Sequence, residues 1–195
     1  ILNNINFNIK EGEFCLVSGN SGIGKSALLL TLTGIISSKS GSIKWGSNNL
    51  DEIDLSNFRK NISYCTTEPY LIEGTVSENI LYGIHDKISN QEIEDALKIC
   101  HCEFLKKQGV YSLNYQIKDD GSGLSAGQKQ RIALARAILN KPRLIILDEA
   151  TVNIDELLEE KIILNIKKFL PKTVYLAVSH RKSLKKHADK IINLE

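Results

Sequence analysis

The chain opens with an alternation of apolar and polar residues, in which Ile5, Phe7 and Ile9 are apolar and the residues between them are polar. A period of two is typical of a half-buried strand, because successive side chains of a strand point to opposite faces. Four consecutive apolar residues at 14–17 then predict a buried strand that ends in a glycine-rich loop. A helix is predicted directly after this loop, over 25–33.

Strands and helices alternate along the rest of the chain. Short apolar runs predict further strands at 42–45, 62–65, 144–147 and 174–178. Apolar residues at helical spacing predict helices over 90–107, 125–139 and 157–169. Ser89 and Glu92 form a plausible capping box for the first of these. This order favours an α/β fold with a largely parallel sheet that is covered on both faces.

The composition is that of an ordinary water-soluble domain, with 42% hydrophobic and 25% charged residues among 195. The net charge of +2 demands neither nucleic acid nor a membrane surface as a partner, and no nucleic acid is expected. Four scattered cysteines are too few for a disulfide framework, and no apolar run reaches the ~20 residues that span a bilayer. Cys100 and Cys102 flank a histidine, but no second ligand pair accompanies them, so helix packing is preferred to a metal site. The chain contains no methionine, and we expect it to be a piece of a longer polypeptide.

The strongest chemical signal is a glycine-rich run between the strand at 14–17 and the helix at 25–33. It fits the pattern G-x-x-x-x-G-K-[ST], in which glycines let successive N–H groups point into one concavity. The positive N-terminal end of the following helix adds to this anion site. In such a loop the lysine neutralises the β- and γ-phosphates, and the final hydroxyl binds Mg²⁺. The candidate phosphate-binding residues are Gly19, Asn20, Ser21, Gly22, Ile23, Gly24, Lys25 and Ser26.

Two carboxylates follow the predicted strand at 144–147. Asp148 is placed to hold the Mg²⁺ shell at the carboxyl edge of the sheet, where α/β proteins bind ligands. Glu149 can then orient and partly deprotonate the water that attacks the γ-phosphate. An Asp-Glu pair after a strand is by itself more often a pair of charges at a helix N-terminus. Beside a phosphate loop, the catalytic interpretation is favoured.

A second anion site is indicated by the run Leu-Ser-Ala-Gly-Gln at 124–128, directly before an apolar helix. Ser125 and Gln128 have the spacing of a capping box, so one interpretation is simply a well-capped helix. A helix that starts with Ser, a small residue and Gly also exposes N–H groups to an anion. Because the phosphate loop already provides one such site, this second site needs a phosphate from elsewhere.

The runs GNSGIGKS, LSAGQKQR, LIILDEAT and AVSH, in this order, resemble the nucleotide-binding domain of ATP-binding cassette (ABC) proteins over nearly the whole chain. The resemblance implies ATP and Mg²⁺ as cofactors. It also implies a P-loop NTPase core with a mostly parallel sheet, an N-terminal antiparallel β portion and a helical signature subdomain. Within a single domain of residues 1–195, we expect a RecA-like core at about 1–70 and 140–195 and the helical subdomain at about 71–139.

The resemblance also assigns roles to single residues. Ser125, Gly127 and Gln128 match the family's signature motif, which acts on ATP held by a second nucleotide-binding domain in a head-to-tail pair. Asp155 matches the D-loop aspartate, and His180 matches the switch histidine that contacts the γ-phosphate. The missing phosphate of the second anion site would thus come from the partner domain.

Thr67 stands where the family carries the Q-loop glutamine, which reaches Mg²⁺ and the attacking water. The threonine hydroxyl lies close to the backbone, so Thr67 is a candidate metal ligand whose shorter reach is expected to lower hydrolysis or coupling. Ala126 replaces a signature glycine, and we expect a mild effect because the backbone donor remains. The run at 73–80 is similar to exporter-type members of the family.

The expected function is ATP hydrolysis that powers export at the cytoplasmic face of a membrane, through transmembrane domains in the same or a separate chain. One alternative is a soluble ABC ATPase that acts on DNA or the ribosome, although such proteins usually carry large insertions or basic arms. A second alternative is a cassette with reduced hydrolysis that binds ATP to regulate a partner. Thr67 favours this second alternative, whereas Glu149 and His180 argue against it.

Overall fold

The computed structural model describes residues 4–84 and 86–194, in which strands and helices alternate. The strands are β1 Phe14–Ser18, β2 Lys44–Trp45, β3 Asn48–Asn49, β4 Ile62–Thr66, β5 Gly74–Thr75, β6 Lys106–Lys107, β7 Val110–Tyr111, β8 Gln116–Ile117, β9 Leu144–Asp148, β10 Val174–Val178 and β11 Lys190–Asn193. The helices are α1 Lys25–Leu32, α2 Leu55–Arg59, α3 Val76–Leu81, α4 Asn90–Ile99, α5 Ala126–Leu139, α6 Glu156–Phe169 and α7 Lys182–His187. None of the helices in these ranges is long and apolar enough to cross a membrane.

Within the described residues, five strands form one sheet in the order β11-β1-β10-β9-β4. β1 runs parallel to both β10 and β11, and β10 runs parallel to β9. Buried apolar side chains line both faces of β1, β9 and β10, as expected for parallel strands that are covered on both sides. The predicted α/β fold with a mostly parallel sheet is confirmed.

The chain divides into two units, and the first unit is built around this sheet. It contains the residues up to 64, the segment 142–148 and the residues from 172 onward. Alternate side chains of the sheet form its main apolar core together with α1. The members of this core are Cys15, Val17, Leu28, Leu29, Leu144, Ile146, Leu176, Val178, Ile192 and Leu194. Because β1 and β9 are anchored in this core, the residues that follow them start from fixed positions.

The strand predicted at 5–9 is wrong, although the alternation that predicted it is real. Exposure alternates along residues 4–10, and Ile5, Phe7 and Ile9 pack against the sheet core. Within the part of the chain that the structure describes, this segment makes no ladder with another strand. Alternating burial needs only an extended backbone, whereas a strand also needs a partner for its hydrogen bonds. The antiparallel pairing of this N-terminal part lies between β2 and β3 instead.

The second unit contains 65–141 and 149–171 and is mostly helical. Helix α5 packs against α3 and α4, and α4 also contacts α6. Helix α6 contacts α4 and belongs to this unit. The helical subdomain expected from the sequence, at about 71–139, does not include α6. The residues of α5 that face its neighbours are almost fully buried, among them Ile132, Leu134, Ala135 and Ile138.

The helix predicted over 90–107 is shorter than expected. The capping box of Ser89 and Glu92 begins α4 as predicted, but the helix ends at Ile99. His101 has a left-handed backbone with φ 54°, which stops the helix. Leu105 lies beyond this end and is still buried. Apolar periodicity therefore continued past the helix and concealed its end.

Candidate functional site

The phosphate loop predicted at 19–26 connects β1 to α1 in the first unit. Gly22 and Gly24 have left-handed backbones with φ 79° and 110°, a region that side chains rarely allow. Gly24 is the N-cap of α1, so no side chain caps the first N–H groups of this helix. At Gly19 an added Cβ atom would lie 2.9 Å from the main-chain oxygen of Leu194. The local geometry therefore favours glycine at both fixed positions of the motif, 19 and 24, and also at Gly22 between them.

Lys25 is the first residue of α1, and only 8% of its surface is exposed. Its Nζ atom donates hydrogen bonds to the carbonyl oxygens of Gly19 and Asn20, both at 2.8 Å. Both acceptors are uncharged, so these two bonds do not neutralise the ammonium group. A phosphate at the loop would offer stronger, charge-assisted hydrogen bonds. Lys25 is therefore held inside the loop, where phosphate oxygens can replace the two carbonyl groups.

Ser26 and Asp148 are the candidate Mg²⁺ ligands of the first unit. Ser26 is exposed in the first turn of α1, and the half-buried Asp148 ends β9. The Tyr64 hydroxyl donates a hydrogen bond to Oδ2 of Asp148 at 2.9 Å. Burial and this bond to the carboxylate raise the pKa of Tyr64 well above its ordinary value, so the phenol stays protonated. Hydroxyl and carboxylate oxygens are ligands that Mg²⁺ prefers, and this donor set fits the ion.

Glu149 follows Asp148 directly and has a left-handed backbone with φ 52°. Such a backbone costs a residue with a side chain about 1–3 kcal/mol. The carbonyl oxygen of Glu149 accepts a hydrogen bond from the Val152 amide at 3.2 Å, and the side chain is half-buried. Glu149 therefore lies in a strained conformation directly after the strand that ends at Asp148.

The signature segment at 124–128 forms the start of α5 in the second unit. The Oγ atom of Ser125 accepts from the Gln128 amide at 3.2 Å, and Oε1 of Gln128 accepts from the Ser125 amide at 2.8 Å. The predicted capping box is confirmed. Ala126 is exposed, whereas a Cβ atom at Gly127 would lie 2.5 Å from the Asn153 carbonyl oxygen. Position 126 therefore has space for the methyl group of alanine, and position 127 has none.

Thr67, which the resemblance matched to the Q-loop position, is bonded to α5 through its main chain. Its carbonyl oxygen accepts a hydrogen bond from Nε2 of Gln130 at 2.8 Å. The Oε1 atom of the same glutamine accepts from the Asn153 amide at 3.0 Å. One buried amide on α5 thus connects two loops of the second unit.

Asn79 and Arg136 hold the segment that follows Thr67. The buried Asn79 side chain exchanges hydrogen bonds with both main-chain groups of Ile72, at 2.9 and 3.0 Å. Arg136, on α5, donates to the carbonyl oxygens of Asn79 at 2.8 Å and of Tyr70 at 3.0 Å. Its guanidinium also lies over the ring of Tyr82, 5.5 Å from the centroid. These contacts fix residues 70–79 on α5.

Asp155 and His180 lie next to a helix start and a strand end. Asp155 is the N-cap of α6, and its Oδ1 accepts from the amides of Leu157 at 3.0 Å and Leu158 at 3.2 Å. His180 lies two residues after β10 in the first unit. Both side chains are exposed.

The sequence analysis missed three residues that hold candidate segments in place, Tyr64 in the first unit and Asn79 and Gln130 in the second. Gln130 lies four positions before Leu134 and eight before Ile138, so it occupies the apolar face of α5. Asn79 lies three positions after Val76 on the buried side of α3. A polar residue at an apolar position of a predicted helix was the available signal for Gln130, whereas no helix was predicted around Asn79. No such signal marked Tyr64, because its partner is 84 residues away.

Known proteins resemble the chain along its whole length. Residues 2–152 match the family described as ABC transporter. The chain is 36% identical over 192 residues to the lactococcin-A transport/processing ATP-binding protein LcnC of Lactococcus lactis subsp. lactis. This match covers 98% of the chain and 27% of LcnC. It is 35% identical over 197 residues to the transport/processing ATP-binding protein ComA of Streptococcus pneumoniae serotype 4, again with 27% of the relative covered. The chain therefore spans little more than a quarter of the length of these curated relatives.

A solved structure of a bacterial Atm1-family ABC exporter with ATP bound has the same fold. The match covers 100% of this chain and 34% of the exporter chain, with a TM-score of 0.90 and 26% sequence identity. The family match at 2–152 includes the phosphate loop, the signature segment, Asp148 and Glu149. The chain thus belongs to the ABC transporter family and is a nucleotide-binding domain of that family, with ATP as its ligand.

Proposed function

We propose that this chain hydrolyses ATP with Mg²⁺ and that the hydrolysis powers export by attached transmembrane domains at the cytoplasmic face of a membrane. LcnC and ComA are named as transport/processing ATP-binding proteins, and the structural neighbour is an exporter with ATP bound. Only 27% of each of these relatives corresponds to the chain. The remainder has room for transmembrane domains, which we propose as partners in the same or a separate chain.

The observation that carries the hydrolytic part is Glu149, which is held at φ 52° immediately after Asp148. A carboxylate there can orient a water molecule and take its proton as the water attacks the γ-phosphate. Glycine would adopt this backbone without strain. The strained glutamate therefore favours a role for the side chain itself.

The first unit supplies the nucleotide and metal contacts in this proposal. The N–H groups of the loop at 19–26 and the Lys25 ammonium bind the phosphates, and His180 contacts the γ-phosphate. Ser26 and Asp148 hold Mg²⁺, and the Tyr64 hydroxyl keeps the Asp148 carboxylate oriented. When bound, the ion offsets negative charge on the phosphate oxygens.

A second nucleotide-binding domain completes the site. Helix α5 is 14 residues long, and the N–H groups at its start carry partial positive charge. The chain's own ATP occupies the phosphate loop, so Ser125 and Gly127 act on ATP held by the partner domain in a head-to-tail pair. Gln128, which caps the start of α5, and Asp155, which caps α6, belong to the same contact.

The substitution Glu149→Gln tests the hydrolytic role. The amide keeps the size of the side chain but cannot accept the proton of water, so phosphate release should fall at least about 100-fold while ATP binding persists. The same change at the exposed Glu156 is the matched control and should leave both quantities unchanged. Normal turnover by the Glu149→Gln protein would contradict the assigned role.

Thr67 favours a second candidate function, in which the chain binds ATP mainly to regulate a partner. Its single hydroxyl lies near the backbone and cannot extend as a glutamine amide does. The wild-type measurements of the same experiment separate the two candidates. ATP binding with sustained phosphate release supports the export motor, and ATP binding without phosphate release supports the regulatory cassette.

A further inference from the structure

Gln130 is a polar residue on α5 with only 1% of its surface exposed. Its Nε2 atom donates to the carbonyl oxygen of Thr67 at 2.8 Å, and its Oε1 atom accepts from the amide of Asn153 at 3.0 Å. Both ends of the amide are used, and each is bonded to main chain. A buried polar group is costly unless it is hydrogen-bonded, so these two bonds explain why a glutamine is tolerated on the apolar face of α5.

The loop that contains Asn153 also packs directly on α5. A Cβ atom at Gly127 would lie 2.5 Å from the carbonyl oxygen of Asn153, so the two main chains are in contact there. Gly127 and Gln130 are three positions apart and therefore lie on one face of the helix. This face holds Asn153 by close packing at one residue and by a hydrogen bond at the other.

The proposed function assigns roles to both of the loops that Gln130 joins. Thr67 stands at the Q-loop position, and Asn153 lies two residues before Asp155, the N-cap of α6. Helix α5 itself begins at the signature segment, with Ser125 as its N-cap. A threonine at position 67 has a shorter reach than glutamine, whereas the main-chain bond from Thr67 to Gln130 does not depend on the side chain at 67.

We propose that Gln130 is a positioning residue for ATP hydrolysis, which holds the main chains of Thr67 and Asn153 in one arrangement at the start of α5. The inference rests on the proposed function, because this arrangement affects turnover only if the chain hydrolyses ATP. Gln130 acts through the two loops and does not contact the nucleotide. Its loss should therefore lower kcat and leave ATP binding to the first unit unchanged.

Two substitutions separate the two hydrogen bonds. Gln130→Met keeps the approximate length of the side chain and removes both bonds. Gln130→Glu keeps an acceptor for the Asn153 amide, but its ionised carboxylate cannot donate to the Thr67 carbonyl. Gln130→Glu should lower kcat about tenfold, the rate equivalent of about one hydrogen bond. Gln130→Met removes both bonds and should lower kcat at least as much, and the KM for ATP of both variants should stay within about twofold of wild type.

The pH profile tests for hydrogen bonding rather than general loss of structure. Burial raises the pKa of a carboxyl group, and the protonated carboxyl of the Gln130→Glu protein can both donate and accept. Its kcat relative to wild type should therefore rise severalfold from about pH 8 to about pH 6, whereas the ratio for Gln130→Met should stay flat. Hydrogen exchange of the Asn153 amide should stay slow in Gln130→Glu and become faster in Gln130→Met.

Thr173→Val is the matched control. It removes another buried bond from a side chain to main chain, between the Thr173 hydroxyl and the Pro142 carbonyl oxygen at 2.6 Å in the first unit, and should leave kcat unchanged. A wild-type kcat in Gln130→Met, or a flat pH ratio for Gln130→Glu, would overturn the inference. If the wild-type chain releases no phosphate, the proposed function fails instead. In that case, Asn153 exchange in Gln130→Met tests the holding of Asn153 by Gln130 alone: unchanged exchange would overturn it, and faster exchange would support it.

Discussion

The Asn79→Ala substitution should strongly destabilise the second unit. Asn79 has no exposed surface, and its side chain makes three hydrogen bonds to main-chain groups. Two join it to the amide and carbonyl of Ile72, at 3.0 and 2.9 Å, and the third joins it to the carbonyl of Thr75 at 3.1 Å. Alanine leaves these three groups without this partner and also removes an acceptor of Arg136.

The size of the effect follows from these bonds. Each hydrogen bond contributes about 1 kcal/mol net, so the three main-chain bonds together contribute about 3 kcal/mol to the free energy of unfolding. For a protein of 195 residues, 1 kcal/mol shifts the Tm by about 2–4 °C. Asn79→Ala should therefore lower the Tm by about 6–12 °C.

Thermal unfolding followed by circular dichroism measures this shift, with Asn165→Ala as the matched control. Asn165 is also in the second unit, but it is exposed, and its Nδ2 atom makes two exposed contacts, a long hydrogen bond of 3.5 Å to the Ile99 carbonyl and a contact of 3.3 Å with Nε2 of His101. Its replacement should change the free energy of unfolding by no more than about 0.5 kcal/mol. Equal and small shifts in the two variants would refute the reasoning, because the buried bonds of Asn79 would then contribute nothing.

Two further predictions concern Gly127 and Cys65. Gly127→Ala should lower the free energy of unfolding by about 1–3 kcal/mol in thermal unfolding, because its Cβ atom would lie 2.5 Å from the Asn153 oxygen. The control Ala126→Gly changes an exposed site and should cost about 1 kcal/mol at most. Equal losses of stability in the two variants would contradict this reasoning. Burial raises the pKa of the Cys65 thiol to about 12, so the unfolded thiol ionises first as pH rises above about 8.5. The contribution of Cys65 to the free energy of unfolding should be full below that pH and fall as the pH rises towards 12. Urea unfolding measures this at pH 8 and pH 10. Between these two pH values, the free energy of unfolding should fall less in Cys65→Ala than in wild type.

The confirmed predictions come from patterns that are local in the chain. The capping boxes of α4 and α5 each involve residues three positions apart, and the strand and helix on either side of the predicted phosphate loop are each marked by an apolar run of their own. The apolar runs that became β1, β9 and β10 are buried on both faces, so their composition alone marks them. Such features are readable because every group that stabilises them is within a few residues.

The predictions that failed depended on distant partners. The alternation at 5–9 correctly predicts which side chains are buried, but whether the segment forms a strand depends on a neighbouring backbone. The periodicity at 90–107 likewise predicts burial, and the left-handed backbone at His101 ends the helix earlier. In both segments the apolar pattern reported burial correctly and the secondary structure only in part.

The sequence by itself determined the strand, loop and helix that carry the predicted phosphate loop, the place of Asp148 and Glu149 at the end of β9, and the capped start of α5, because each of these lies in contiguous residues. Only the tertiary structure decided how these parts are held. It placed the Tyr64 hydroxyl on Asp148 across 84 positions and the Gln130 amide on Thr67 across 63. It also brought Asn153 so close to Gly127 that a methyl group fits at position 126 but not at 127. Contacts between residues so far apart depend on how the helices and strands pack, and no local pattern encodes that packing.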